Sequence, residues 1–207
     1  MEQASIIKEL VEASERLLHI KLDTEDINRI LAISQIRIYQ KGSTILGINE
    51  KLTYTGLVLK GIIRSYYLDM NGKEITKNFY REHFLFMDEG LIGYKQSISA
   101  YEAIEDTVVM LFDTGKLKEL FMESEKFKDL YIAALETGMR YKIYRENEFL
   151  TNNATERYLQ FINDYPELAG RVKQSYISTY LGITPESLSR IRKNIKRSAC
   201  WEGSAYE

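Results

Sequence analysis

The pattern of apolar and polar positions changes twice along the chain. Residues 2–32 follow a helical period that is interrupted at 19–22, with Asp23 or Thr24 placed to cap a second helix. From about 36 to 112, short runs rich in Ile, Val, Tyr, Thr and Phe alternate with glycines, which is typical of short antiparallel strands. Asn71-Gly72 lies between two of these runs and predicts a hairpin with a type I′ turn. We expect this region to form a β-roll, a small jelly-roll-like sandwich.

Helical periodicity returns after residue 113. The run SEKFKDLYIAALETGMRYKIYRENEFL contains no proline and is longer than a surface helix of one small domain needs. Phe127, Ala134 and Tyr141 recur every seven residues, with Tyr131 and Gly138 on the neighbouring seam. Because alanine and glycine let a second helix approach closely, we interpret 126–151 as a dimerisation helix. The alternative is that this stripe packs on the protein's own β-roll.

A second module is predicted from residue 152, where Asn153 or Thr155 can cap a new helix. Within it, LGITPESLSRIRKNI (181–195) predicts a helix, a tight turn and a helix. Gly182 tolerates the left-handed conformation, Thr184 is a good N-cap and Pro185 suits the first helical position. The chain is therefore predicted to be α+β: a β-roll (1–125) with flanking helices, a dimerisation helix (126–151) and a C-terminal helix-turn-helix domain (152–207).

The last predicted helix has two different faces. At about 100° per residue, Leu188, Ile191 and Ile195 form one apolar stripe that can dock on the preceding helix. A helix fits the major groove of B-DNA, where arginine bonds guanine O6 and N7 and glutamate accepts from cytosine N4. We therefore predict that the opposite face reads bases through Glu186, Ser189 and Arg190.

The charge distribution also indicates that the C-terminal part of the chain is the one that binds nucleic acid. The net charge is −2, yet residues 171–197 hold seven bases against one acid, Glu186. A basic segment on an acidic body suggests nucleic-acid binding; the alternative is an ordinary exposed basic helix. Phosphate contacts position a protein without reading sequence, and we assign them to Lys173, Thr184, Arg192, Lys193, Lys196 and Arg197.

Composition argues against several classes of protein. One cysteine, Cys200, excludes an internal disulfide and a four-thiolate metal site, and two histidines, His19 and His83, are too few for a three-histidine centre. We expect ordinary roles for both histidines, no metal, no cofactor and no enzyme activity. No run reaches the roughly 18 apolar residues of a membrane span, and the acidic amphipathic N-terminus is unlike a secretory signal. A cytoplasmic protein is expected.

The stretch YISTYLGITPESLSRIRKNI (176–195) resembles the DNA-binding motif of the Crp/Fnr superfamily of bacterial transcription regulators. The family's Glu-x-x-Ser-Arg pattern falls on Glu186, Ser189 and Arg190, while Pro185 stands where the cyclic-AMP receptor type carries an arginine. The resemblance implies a homodimer that binds double-stranded DNA at a near-palindromic operator. It also implies that the cyclic-nucleotide-binding-like β-roll is a sensor domain and that the C-terminal domain (152–207) is winged-helix-like. It also allows RNA polymerase as a further partner.

The resemblance weakens at the effector pocket. Cyclic-nucleotide-binding members use a Gly-Glu pair for the ribose and an Arg-Ser/Thr-Ala run for the phosphate. In HFLFMDEGLIGYKQSISA (83–100) these positions fall on a degenerate pocket of Met87, Asp88, Ile98, Ser99 and Ala100. Because the arginine opposite the phosphate is missing, we expect no cyclic-AMP binding unless Lys95 substitutes for it. A small-molecule effector is not identified, and the single cysteine argues against an iron–sulfur sensor.

Two other functions remain open at this stage. The chain could be a ligand-binding or protein-interaction module whose terminal helices contact a partner protein. A cupin-like metalloenzyme is the second alternative, although that chemistry usually needs three histidines and only His83 lies in the β-roll region.

Overall fold

A computed structural model describes residues 3–202, and the side chains of these except 3–5, 13, 16–18 and 196–202. The chain divides into two compact units, one of Met1–Tyr67 with Lys77–Lys142 and one of Leu68–Thr76 with Ile143–Glu207. This division falls inside the long helix. None of the helices within 3–202 is long and apolar enough to cross a membrane.

The first unit begins with two helices, α1 (Gln3–Leu18) and α2 (Thr24–Ala32). Asp23 caps α2, since its carboxylate accepts from the N–H groups of Glu25 (2.9 Å) and Asp26 (3.0 Å). The Asp26 carboxylate in turn accepts from the Asp23 N–H at 3.0 Å, which completes a capping box. The predicted interruption and capped second helix are confirmed.

Eight strands form two antiparallel sheets, which confirms the predicted β-roll. One sheet has the order β1-β8-β3-β6 and the other β2-β7-β4-β5. The strands are β1 (Ser34–Tyr39), β2 (Thr44–Leu46), β3 (Tyr54–Lys60), β4 (Ile63–Leu68), β5 (Glu74–Tyr80), β6 (Leu85–Phe86), β7 (Ala100–Ala103) and β8 (Thr107–Asp113).

The two central strands of the first sheet, β3 and β8, are largely buried on both faces. Leu57 and Leu59 of β3 pack with the helices of the unit, whereas Val58 between them packs inside the sandwich. In β8, Met110 and Phe112 likewise face the helices. Because successive side chains of a strand point to opposite faces, these strands are apolar at nearly every position.

The hairpin between β4 and β5 exists, but its turn differs from the prediction. Gly72 has a positive φ of 76°, while Asn71 is not among the residues with positive φ. The Asp69 carboxylate accepts from the N–H groups of Asn71 (2.8 Å) and Lys73 (2.9 Å), and the Asp69 carbonyl accepts from the Gly72 N–H (3.0 Å). A longer loop held by Asp69 therefore replaces the two-residue type I′ turn.

Two helices follow the sheets, α3 (Thr114–Glu123) and the 27-residue α4 (Glu125–Thr151). The length of α4 agrees with the sequence, but one residue of the predicted dimer seam does not. Phe127 is fully buried in the core of the first unit. Tyr131 stacks on Phe121 at a centroid distance of 4.9 Å and donates its hydroxyl to the Leu91 carbonyl at 3.2 Å.

The rest of that seam also faces the first unit. Tyr141 donates to Asn78 Oδ1 at 2.8 Å, and a Cβ at Gly138 would lie 3.9 Å from Asp88 Oδ2. Ala134 is half-buried. Only Phe127, which is buried in the core of its own unit, is contradicted as an interface residue, and the other four residues of the stripe stay predicted interface residues.

The opposite side of α4 carries exposed apolar residues. Ile132, Leu135 and Met139 are 52%, 38% and 59% exposed, and they follow the i, i+3, i+7 spacing of one helical face. Further along the helix, Ile143 is 59% exposed.

The second unit contains α5 (Ala154–Asp164), α6 (Leu168–Arg171), α7 (Gln174–Tyr180) and α8 (Pro185–Glu202). Asn153 caps α5 with a capping box to Glu156, as the sequence allowed. Phe161 of α5 lies 5.5 Å from the ring of Tyr180 in α7, and both are nearly inaccessible to solvent. The aromatic contact therefore packs α7 against α5.

Candidate functional site

The turn between α7 and α8 has the geometry of a helix-turn-helix. Gly182 has φ of 68°, and its N–H donates to the Thr179 carbonyl at 3.2 Å. Thr184 Oγ1 accepts from the Ser187 N–H at 3.2 Å, which caps α8. A Cβ at Gly182 would lie 2.8 Å from Cε1 of Phe149, so both conformation and space require glycine here.

The two faces of α8 are separated as the sequence predicted. Leu188 is fully buried, and Ile191 and Ile195 are half-buried, so this stripe anchors the helix. The structure places Glu186, Ser189 and Arg190 on the exposed side. A carboxylate, a hydroxyl and a guanidinium thus face solvent together.

Glu186 is held in its charged form. A hydrogen bond from its own backbone N–H, a hydrogen bond from the Thr184 hydroxyl and the positive charge of Arg190 lower the pKa of its carboxyl. An ionised carboxylate at this point can only accept hydrogen bonds. It therefore suits a partner that offers a hydrogen-bond donor and disfavours one that offers only acceptors.

The residues assigned to phosphates are described only in part. Lys173, Thr184 and Lys193 are exposed and Arg192 is half-buried, while the side chains of Lys196 and Arg197 lie outside the described residues. Thr184 also has the structural duty of capping α8. Of the described cations, Arg192 and Lys193 lie on α8 and Lys173 directly precedes α7.

Two arginines that the sequence analysis missed hold the C-terminal end of α7. Arg145 Nη2 donates to the Tyr180 carbonyl at 2.8 Å, with its guanidinium carbon 3.8 Å from the centre of the Tyr180 ring. Arg157 Nε donates to the Leu181 carbonyl at 3.1 Å. The ring of Phe149 lies within 4.8 Å of one guanidinium and 5.1 Å of the other.

These contacts satisfy carbonyls that a helix leaves without intrahelical partners, and they fix the turn that precedes α8. No periodicity or motif distinguishes Arg145 or Arg157 from other surface arginines. Only the fold brings them to the end of α7.

A buried polar cluster lies inside the β-roll around Glu89, which is 6% exposed. Its Oε1 accepts from Lys77 Nζ at 2.5 Å and from the Ser99 hydroxyl at 3.3 Å. Its Oε2 accepts from the Tyr101 hydroxyl at 2.6 Å. Both carboxylate oxygens are therefore engaged by side chains of the protein itself.

The cluster is stabilised by charge despite its burial. Burial opposes the ionised form of Glu89, but the charge and hydrogen bond of Lys77 and the hydrogen bond of Tyr101 outweigh it, so the pKa of Glu89 is lowered. Burial likewise opposes the ammonium form, yet the interactions with Tyr80 and Glu89 raise the pKa of Lys77. The two groups form an ion pair at neutral pH.

Comparison with known proteins gives a consistent answer. Residues 36–124 match the family model of the cyclic nucleotide-binding domain. FixK2 from Bradyrhizobium japonicum superposes with a TM-score of 0.71 at 23% identity, covering 81% of this chain and 86% of that one. A putative transcriptional regulator of the Crp/Fnr family from Eubacterium rectale gives 0.69 at 18% identity, covering 86% and 85%. The catabolite activator protein of Thermus thermophilus gives 0.56 at 18% identity, covering 88% and 87%.

The chain has the Crp/Fnr fold. The resemblance recognised from the motif at 176–195 is thereby confirmed at the level of fold. No curated protein sequence matches the chain significantly.

Within this Crp/Fnr fold, the five residues of the predicted degenerate pocket have different surroundings, and their role as an effector pocket stays a prediction. Ser99 belongs to the Glu89 cluster, and Ala100 is buried in β7. Met87 is part of the sandwich core, Asp88 is exposed, and Ile98 is 47% exposed.

The sequence analysis did not identify Glu89 and Lys77 as members of a buried cluster. It chose Asp88 where the buried carboxylate is Glu89, and it considered Lys95, which is exposed, where the neighbouring cation is Lys77. An acidic pair at 88–89 was the available signal. The partner lysine is twelve residues away on β5 and is brought there by the sheet.

Proposed function

We propose that this protein is a sequence-specific DNA-binding transcription regulator of the Crp/Fnr type that acts as a homodimer. The observation that carries the proposal is the orientation of α8: Leu188 is fully buried while Glu186, Ser189 and Arg190 face outward. The Crp/Fnr fold supports it, since several proteins with this fold are described as transcription regulators.

Base reading is assigned to Glu186, Ser189 and Arg190. Arg190 suits guanine O6 and N7, and ionised Glu186 suits the exocyclic amine of cytosine. A purely electrostatic DNA binder gains nothing from a carboxylate on its contact face, whereas a base reader gains discrimination. Lys173, Arg192, Lys193, Lys196 and Arg197 supply phosphate contacts in this proposal.

The homodimer is proposed to form through the exposed side of α4. Ile132, Leu135 and Met139 present an apolar face that their own unit covers only in part, since they are 52%, 38% and 59% exposed. Beside it, Glu136 and Arg140 form an ion pair of 2.7 Å, in keeping with the charged edge of a helix–helix interface. Two copies of this helix, parallel or antiparallel, would bury this face against each other. Phe127 cannot take part in such an interface, because it is already fully buried within its own chain.

Control through the β-roll is proposed to be independent of cyclic AMP. The Glu89 carboxylate is fully engaged by Lys77, Ser99 and Tyr101. Ile98 stands where the resemblance places the phosphate-binding arginine. A cyclic nucleotide would have to displace a buried ion pair without gaining that arginine, which costs several kcal/mol in a low-dielectric site.

Binding of random duplex DNA at several salt concentrations, followed by footprinting, tests the function. The proposal predicts a footprint with two half-sites about 34 Å apart and an affinity that falls steeply with salt. DNA binding that does not change with ionic strength, together with the absence of a footprint, would instead favour the alternative of a protein-interaction module.

A further inference from the structure

A group of three potential metal ligands lies in the first unit, away from both surfaces described above. Glu9 and Glu12 are one turn apart on α1, and His83 lies in the turn between β5 and β6. One ligand atom from each residue lies within 4.8 Å of the others. We propose that Glu9, Glu12 and His83 form a site for a first-row divalent cation, with zinc as the best fit.

Hydrogen bonding accounts for only part of this arrangement. His83 Nε2 lies 2.6 Å from Glu9 Oε2, which uses the single hydrogen this nitrogen can carry. Glu12 Oε2 lies 3.6 Å from the same nitrogen, too far for a hydrogen bond. Among the described side chains, Glu12 also meets Lys8 at 3.6 Å, but Lys8 is 72% exposed, so that pair contributes little.

The donor set and its spacing suit a metal ion. Imidazole with carboxylates is a ligand combination that zinc accepts, usually with water at an open position. A tetrahedral ion would hold its ligand atoms about 3.4 Å apart. The observed separations from His83 Nε2 are 2.6 and 3.6 Å, and all three ligand atoms lie within 4.8 Å of one another, so rotations of the two glutamate side chains would bring the atoms to this spacing.

The accessibility of the group fits binding from solution. The side chains of His83, Glu9 and Glu12 are 16%, 21% and 34% exposed, so each is partly shielded while one side remains open to an ion and its water ligands. The two carboxylates together carry a charge of −2 when the imidazole is neutral, and a divalent cation balances it.

The backbone of His83 is held in an unusual conformation. Its φ is 74°, a left-handed value that a non-glycine residue adopts at a cost of about 1 kcal/mol. Its N–H donates to the Val58 carbonyl at 2.8 Å, and the Phe84 N–H donates to the Arg81 carbonyl at 3.1 Å. The turn therefore fixes the imidazole beside α1, and a bound ion would tie α1 to the β-roll.

The test measures zinc binding to the full chain by competition with a chromogenic chelator near neutral pH. All proteins carry Cys200→Ser, which removes the one thiol that could bind zinc. His83→Asn removes the ligand while asparagine still tolerates positive φ. His19→Asn is the matched control, because His19 also has a positive φ, of 56°, and is exposed.

The parent and the His19→Asn protein are expected to bind one zinc ion per chain, and magnesium, which prefers oxygen ligands, is expected to compete poorly. His83→Asn, Glu9→Gln and Glu12→Gln should each weaken zinc binding at least tenfold. Zinc should raise the melting temperature of the parent and the control but not of His83→Asn.

Glu12→Gln separates a metal site from a simple ion pair. If His83 only forms an ion pair with Glu9, Glu12→Gln leaves the zinc affinity unchanged. In that case His83→Asn lowers the melting temperature equally with and without zinc. That result, or equal zinc binding by His83→Asn and His19→Asn, would overturn the proposal. DNA binding is not a readout here, so failure of the metal site leaves the proposed function standing.

Discussion

Replacing Lys77 by methionine should destabilise the β-roll. It should also reverse the direction in which the contribution of Glu89 to the free energy of unfolding changes with pH. The Lys77 side chain is 19% exposed and that of Glu89 is 8% exposed, so the substitution leaves a buried carboxylate without its cation. The hydrogen bonds from Tyr101 (2.6 Å) and Ser99 (3.3 Å) remain. Removing one partner of a buried pair typically costs about 3–5 kcal/mol. Because two donors persist, we expect the lower end, about 3 kcal/mol.

The pH dependence follows from the direction of the pKa shifts. In the natural protein the pKa of Glu89 is lowered, so its stabilising contribution is present above the unfolded-state pKa and is lost as the pH falls through the folded-state pKa. In Lys77→Met, burial remains without the cation and should raise the pKa of Glu89 above its unfolded value. Protonation then relieves the buried charge, so the variant should gain stability relative to the natural protein as the pH falls toward the ordinary pKa of glutamate, about 4.3.

Urea denaturation followed by far-ultraviolet circular dichroism measures both effects. Lys95→Met is the matched control, because Lys95 is an exposed lysine of the same β-roll and should change the free energy of unfolding by less than about 0.5 kcal/mol. Adding Glu89→Gln to Lys77→Met should recover much of the loss, since no charge is then buried. If Lys77→Met matched Lys95→Met at neutral pH, or lost stability on acidification as the natural protein does, the reasoning would be refuted.

Three further predictions concern the second unit and α4. Arg190→Ala should cost about 1–3 kcal/mol on the specific site and relax preference at one base pair, whereas Lys193→Ala should weaken all duplexes similarly and lower the salt slope; equal effects in quantitative gel-shift titrations would contradict the assigned roles. Met139→Asp should shift the protein from dimer to monomer in light scattering, while Ile38→Asp, at a 74% exposed residue of β1, should not; an unchanged dimer would exclude this side of α4. Gly182→Ala should lower the free energy of unfolding by more than about 1 kcal/mol and weaken DNA binding, because φ is positive and the added Cβ meets Phe149; a variant with natural stability in urea titrations would contradict the turn geometry.

Local signals in the sequence predicted the parts of the fold that local chemistry determines. Asp23 and Asn153 cap α2 and α5 through hydrogen bonds to backbone N–H groups two and three residues away, so the capping signal lies in the local sequence. In the same way, Gly182 ends one helix, Thr184 caps the next and Pro185 begins it. The burial of Leu188 followed from helical spacing alone.

Features that depend on long-range packing were not predictable in the same way. Heptad spacing identified a stripe on α4 but could not tell whether Phe127 faces a second chain or the β-roll, because both partners are apolar. Lys77 and Glu89 meet only because β5 and the turn after β6 are adjacent in space. Arg145 and Arg157 likewise find the carbonyls of α7 only in the folded chain.

Selection of bound sequences from a pool of random duplexes, performed in parallel with the natural protein and with Glu186→Gln, tests base reading by α8 most directly. The account predicts that the natural protein enriches two related half-sites about one helical turn apart. Glu186→Gln should enrich the same spacing but lose preference at one base pair in each half-site. Absence of any enriched sequence, or an identical preference at every position with Glu186→Gln, would contradict the assignment of α8 as a base-reading helix.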